Sequence, residues 1–167
     1  MLNLIETVFA PSLSSMKVAS FEIVFQEVPG EVTLALNISG CPNHCKGCHS
    51  PHLWNDTGEE LTVELMDALI RRYAPGITCV CFMGGDQDEA YVAALAEHVH
   101  HQGLKAAWYT GRNKDMTNPK LAELFDYIKT GPYIEACGGL KSPNTNQRFY
   151  RREAEHWVDQ TALFRKK

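Results

Sequence analysis

From Phe21 to Val28 apolar and polar residues alternate, with Phe21, Ile23 and Phe25 on one face. That is the period of a strand. Pro29-Gly30 follows, a turn pair in which glycine supplies positive φ. Between Glu31 and Ile38 the alternation resumes with Val32, Leu34, Leu36 and Ile38, so the two runs predict a β-hairpin. The period then changes. Leu65, Met66, Leu69, Ile70 and Tyr73 recur at helical intervals behind Thr62, a capping residue, and Pro75-Gly76 ends the helix. Acids early and Arg71-Arg72 late suit the helix dipole. Ile77 to Met83 is a short apolar run and predicts a buried strand. Val92, Leu95, Ala96 and Val99 predict a second helix, stopped by Gly103. Lys105 to Tyr109 reads as a strand. Asn118-Pro119 opens a short helix with Leu121, Leu124 and Phe125 inward. Asp126 to Thr130 reads as a strand before Gly131-Pro132, and Gln147 to Arg152 as a last one. Residues 138–146 read as a loop, residues 1–17 as a loosely tied arm, and the tail from Glu153 is weakly patterned.

Strands alternating with helices imply a parallel sheet. A closed eight-fold barrel takes about 250 residues, and this chain has 167. The prediction is an α/β fold: an open partial (β/α) barrel with an N-terminal β-hairpin, in a single domain over residues 1–167 with its core at about 20–152. Composition adds exclusions. A net charge of -4 argues against nucleic acid as a partner. The longest apolar run is far too short for a membrane span. Six cysteines without a basic, apolar leader fit a reducing cytoplasm better than a disulfide framework.

The chemistry concentrates in Cys41-Pro42-Asn43-His44-Cys45-Lys46-Gly47-Cys48-His49. No helix or strand points three thiols at such spacings toward one spot; a loop around a common partner does. Structural zinc wants four closed ligands, as do most iron–sulfur clusters. A tight set of three suggests a four-iron cluster with one iron open. A zinc knuckle drawing its fourth ligand from His44, His49 or His52 is the alternative. Gly84-Gly85-Asp86 follows a predicted core strand; its glycines let a ligand approach the backbone, though glycine turns between strand and helix are common. Tyr109-Thr110-Gly111 follows the next strand, where a threonine hydroxyl suits a sugar hydroxyl or is simply a polar strand end. In a parallel sheet all three loops open at the same end, where ligands gather. Cys79 and Cys81 share a strand face and read as core; Cys137 has no assigned role. His98, His100 and His101 come late in a helix, where the dipole favours them. Arg148, Arg151 and Arg152 face an acidic partner or solvent.

The Cys-x3-Cys-x2-Cys loop after a strand resembles that of the radical S-adenosylmethionine superfamily, and Gly84-Gly85-Asp86 resembles its Gly-Gly-Glu turn. The stretch Ile38 to Trp54, Gly131-Pro132-Tyr133, Ser142-Pro143 and Asn146-Gln147-Arg148 are similar to the family of activating proteins of anaerobic ribonucleoside-triphosphate reductase. Gly47 before the third cysteine matches that branch. The resemblance covers roughly residues 20–152. It implies an open barrel of the radical SAM type and a [4Fe-4S] cluster on Cys41, Cys45 and Cys48. It also implies S-adenosyl-L-methionine at the fourth iron, its amino group held by Gly84, Gly85 and Asp86 and its ribose by Thr110. Gly47, Cys48 and His49 would contact the adenine side. The implied activity is reductive cleavage of S-adenosylmethionine to generate a glycyl radical on the large reductase subunit, with an electron donor such as a flavodoxin. No acid–base residue is required. The alternatives are an activase of another glycyl radical enzyme, of the pyruvate formate-lyase type, and a non-catalytic zinc-binding interaction module.

Overall fold

The computed structural model describes residues 16–113 and 118–165. Residues 1–15, most of the expected arm, lie outside them. In chain order the elements are β1 (Lys17–Val24), β2 (Thr33–Ile38), β3 (Glu59–Glu60), α1 (Val63–Tyr73), β4 (Cys79–Met83) and α2 (Glu89–His101). Then come β5 (Lys105–Tyr109), α3 (Pro119–Ala122), β6 (Tyr127–Thr130), β7 (Arg148–Glu153) and β8 (His156–Asp159). Single 3-10 turns occur at Pro51–Trp54 and Thr161–Arg165.

Among the described residues the strands form one sheet in the order β3-β1-β2-β4-β5-β6-β7-β8. The pairs β2–β4, β4–β5 and β5–β6 are parallel; β1, β3, β7 and β8 pair antiparallel. The α/β class and the hairpin β1–β2 are therefore as expected. The sheet is a mixed, open one, with antiparallel strands at both edges, and does not close into a barrel. No helix of the described residues is long and apolar enough to cross a membrane.

Sheet alternation decides what each face carries. Leu34, Leu36 and Ile38 of β2, Val80 and Phe82 of β4, Ala106 and Trp108 of β5 and Ile128 of β6 are buried in one cluster with the helices. Met66, Leu69 and Ile70 of α1 and Val92, Leu95, Ala96 and Val99 of α2 fill it. Each large side chain fully buried there is worth about 1.5–3 kcal/mol. Thr62 caps α1, its hydroxyl accepting from Leu65 N at 3.1 Å. Asp88 does the same for α2 through Tyr91 N. The opposite face is smaller: Cys79, Cys81, Ala107, Tyr127 and Phe149 under Val28, Leu140 and Phe164. Cys79 and Cys81 are thus core residues, and burial pushes both thiols far up, which makes them inert.

Three local expectations change. A bulge between Val18 and Ser20 lets Val18, Phe21 and Ile23 all face the helix side, where Phe21 meets Tyr73 edge-on at 6.3 Å. Phe25 lies beyond β1 and is 67% exposed, so it does not continue that face. The weakly patterned tail forms a hairpin, β7–β8, and Thr161 receives Phe149 N on its hydroxyl at 2.9 Å. At the N-terminal end of the parallel strands Glu31 accepts bonds from Lys105 Nζ (2.6 Å), Tyr127 Oη (2.7 Å) and Thr78 Oγ1 (2.6 Å). That network closes the smaller face at the end away from the loops that follow.

Candidate metal centre at the strand ends

Every loop of interest leaves the C-terminal end of a parallel strand. β2 passes through Ser39 and Gly40 into the cysteine loop. The Ser39 hydroxyl donates to Thr57 O (2.7 Å) and accepts from Thr57 N (3.1 Å), holding the far arm of the loop. Cys41 N donates to Leu53 O at 3.0 Å and Cys48 N to Cys45 O at 3.1 Å. The return needs positive φ at His44 (46°) and Gly47 (75°); at Gly47 a side chain would also press on Glu135. The His44 ring stacks flat on Trp54, with centroids 4.8 Å apart.

Cys41, Cys45 and Cys48 are half-buried and line one cavity of about 250 Å³. Gly84, Asp86 and Thr110 line the same cavity, so the first three loops of the sequence reading do meet. Asp86 is what binds them. Its residue is 1% exposed, and its carboxylate accepts from Thr110 Oγ1, from Gly111 N (2.9 Å) and from Asn43 Nδ2 in the cysteine loop. Its backbone oxygen accepts from Arg112 at 2.7 Å. Thr110 accepts in turn from Arg112 N at 3.0 Å. Gly84 N donates to Tyr109 O (3.0 Å), and Gly84 O accepts from Trp108 Nε1 (2.8 Å). These bonds leave single lone pairs on Gly84 O and Thr110 Oγ1 for any ligand.

The other expected contacts sit elsewhere. Gly85 is outside the cavity lining and turns toward the helix-side core, where an added Cβ would lie 2.5 Å from Val92 Cγ2. Gly47 packs by Tyr133 and Glu135. His49 stands edge-on to Tyr133 at 5.1 Å and borders a neighbouring cavity of about 330 Å³. Residues to which the sequence assigned no role at the site complete the lining, among them Asn43, Trp54, Tyr133 and Gln147 from the family-like stretches, and Lys129 from outside those stretches. Lys129 comes from β6, a fourth strand end. Its ammonium donates to Thr110 O (3.1 Å) and Gly131 O (3.0 Å). Burial pushes its pKa down to about 8, against the upward pull of Asp86, Cys45, Cys41 and Cys48. It is therefore largely charged at pH 7.

The residues fit an iron–sulfur cluster. Three thiols face one space, as a cluster with one cysteine per iron needs. Hydrogen-bond donors point at the sulfurs: Asn43 Nδ2 at Cys41 Sγ (3.6 Å) and Ser50 N at Cys48 Sγ (3.4 Å). The buried Trp54 Nε1 has no partner among the described residues. Among the described residues no group of three or more His, Cys, Asp or Glu side chains is placed around a single-ion position. A larger cavity, about 790 Å³ beside α3, β7 and β8, carries no cysteine.

The family model described as 4Fe-4S single cluster domain matches residues 28–149, from the hairpin turn through the cysteine loop into β7. No curated protein and no solved structure matches the chain.

Proposed function

Because the chain belongs to the 4Fe-4S single cluster domain family, we propose that it is an oxidoreductase of the radical S-adenosylmethionine type, generating a glycyl radical on anaerobic ribonucleoside-triphosphate reductase. The observation that carries this reading is the meeting of three cysteines with Gly84, Asp86 and Thr110 in one cavity at the ends of adjacent parallel strands. Bound there, the cluster and S-adenosylmethionine supply the one-electron chemistry that takes a hydrogen atom from glycine. The chain's residues position and shield. Cys41, Cys45 and Cys48 hold three irons. The remaining lone pair of Gly84 O suits an α-amino group, and that of Thr110 Oγ1 a ribose hydroxyl. Asp86 positions both strand ends by its bonds to Thr110 and Gly111. The half-exposed cysteine loop leaves one side of the site for a partner's loop to cover, which fits a protein substrate. A flavodoxin-type donor and a cytoplasmic setting belong to the same proposal.

The test is anaerobic. The purified protein should contain iron and sulfide in equal amounts and no zinc. S-adenosylmethionine should perturb the EPR spectrum of the reduced cluster. Adding the large reductase subunit should then give a glycyl radical doublet, and deuterium on the target glycine should appear in 5′-deoxyadenosine. A competent cluster that yields neither signal with a cognate reductase sinks the reading. A radical on a pyruvate formate-lyase type enzyme instead would reassign the partner.

A further inference from the structure

Lys129 is the one cation among the described residues lining the cysteine cavity, and it shares that cavity with Cys41, Cys45, Cys48 and the Asp86 carboxylate. Arg112, one residue past Gly111 of the cavity lining, is spent on Glu89 and on Asp86 O. Only 9% of Lys129 is exposed, so water screens its charge poorly. Its position is held by the carbonyls of Thr110 and Gly131, one beyond each of two strand ends, which use two of its three donors. Its other neighbour is the Tyr109 ring, whose centroid lies 5.8 Å from Nζ. An ammonium held by two neutral carbonyls keeps its whole charge available to what lies across the cavity.

We propose that Lys129 is a positioning residue of the electrostatic kind: its buried charge raises the reduction potential of the metal centre held by Cys41, Cys45 and Cys48. Adding one electron makes an anionic centre more anionic, beside the fixed negative charge of Asp86. A cation in the same low-dielectric cavity favours the reduced form, and net local charge is one of the quantities that set cluster potentials. Without it, reduction by a weak cellular donor is harder. The inference needs the iron–sulfur cluster but not the activase reading, and its test uses neither S-adenosylmethionine nor a partner protein.

The experiment is an EPR-monitored redox titration of the anaerobic holoprotein with dithionite, comparing wild type with Lys129→Gln, Lys129→Met and Lys129→Arg. Gln keeps a donor for the two carbonyls and removes the charge; Arg keeps the charge. The expected result is a midpoint lowered in Gln and Met by at least tenfold in the oxidised-to-reduced ratio, about 59 mV for one electron. Arg should stay near wild type. An unchanged midpoint in Gln and Met with full cluster content overturns the proposal. So does an equal fall in all three variants, which marks a packing role. Should the neutral variants fold but hold no cluster while Arg holds it, the charge serves assembly rather than potential, and the proposal is overturned. Loss of the cluster from all three overturns it.

Discussion

The Glu31 network offers a test of fold energetics that leaves the metal centre alone. Glu31→Gln keeps shape and removes charge. The Glu31 side chain is 7% exposed, whereas that of Lys105 is 50% exposed. The ion pair with Lys105 is thus worth only about 0.2–1 kcal/mol. The Tyr127 and Thr78 hydroxyls donate to an ionised group, at about 1.5–3 kcal/mol each. The two hydroxyls donate to different carboxylate oxygens, so glutamine's single oxygen keeps one of them, and the expected loss is about 2–4 kcal/mol in total. Burial alone pushes the Glu31 carboxyl up, but the bonds from Lys105, Thr78 and Tyr127 together hold it below its ordinary 4.5. A lowered folded pKa gives stability that is present above about pH 4.5 and lost as the pH falls below it. Asp126 is lowered too: burial raises it, but His100 and Ala106 N outweigh that, so it titrates in the same acid window. The difference between wild type and Glu31→Gln isolates Glu31. The assay is anaerobic urea unfolding of the holoprotein followed by circular dichroism at pH 7 and pH 3.5. The variant should lose midpoint at pH 7 with its m-value unchanged, and the gap should narrow at pH 3.5. A variant within 0.5 kcal/mol of wild type at pH 7, on the order of an ordinary surface change, refutes the reasoning. Iron content should not change.

Further outcomes separate the site from the core. Cys41→Ala, Cys45→Ala and Cys48→Ala should each lose iron and sulfide, whereas Cys79→Ala, Cys81→Ala and Cys137→Ala should keep them at a packing cost of about 1–2 kcal/mol. Gly85→Val should cost at least about 2 kcal/mol, because its φ is +93° and its Cβ meets Val92. Its defect should appear in thermal unfolding, more than in the EPR of a folded sample. Asn43→Ala should speed removal of iron by a chelator, since Asn43 ties the cysteine loop to Asp86.

What the sequence revealed was local in origin. β5 was predicted at the bounds it has, because only six residues, Leu104 to Tyr109, lie between a glycine stop and a polar turn. The cysteine loop and the Gly84 turn were legible because each follows an apolar run. Lys129 was not. Within Tyr127-Ile128-Lys129-Thr130 it reads as a solvent-facing position, and it is buried by pairing with Tyr109 of β5 on one side and Phe149 of β7 on the other. Asn43 escaped for a like reason, since its partner Asp86 lies 43 residues away. Gly85 was assigned to ligand approach because spacing does not say which way a turn faces; α2 packed against it decides that. β8 left little trace because it is an edge strand whose Val158 is 38% exposed, so alternation has no buried face to record. β3 is two residues long, below the length at which any period can be read.

The bonds around Asp86 also bear on how the protein matures. None of Cys41, Cys45 and Cys48 belongs to either hydrophobic cluster. The loops that carry the site are laced to one another by Asp86, Gln87 and Ser39 through protein atoms alone. A zinc finger collapses when stripped because the metal is its folding energy. Here the socket stands apart from the scaffold, and the expected outcome is that iron and sulfide added to the apoprotein enter a chain that is already folded. A centre lost to oxygen should then be rebuilt in place, without the chain being remade.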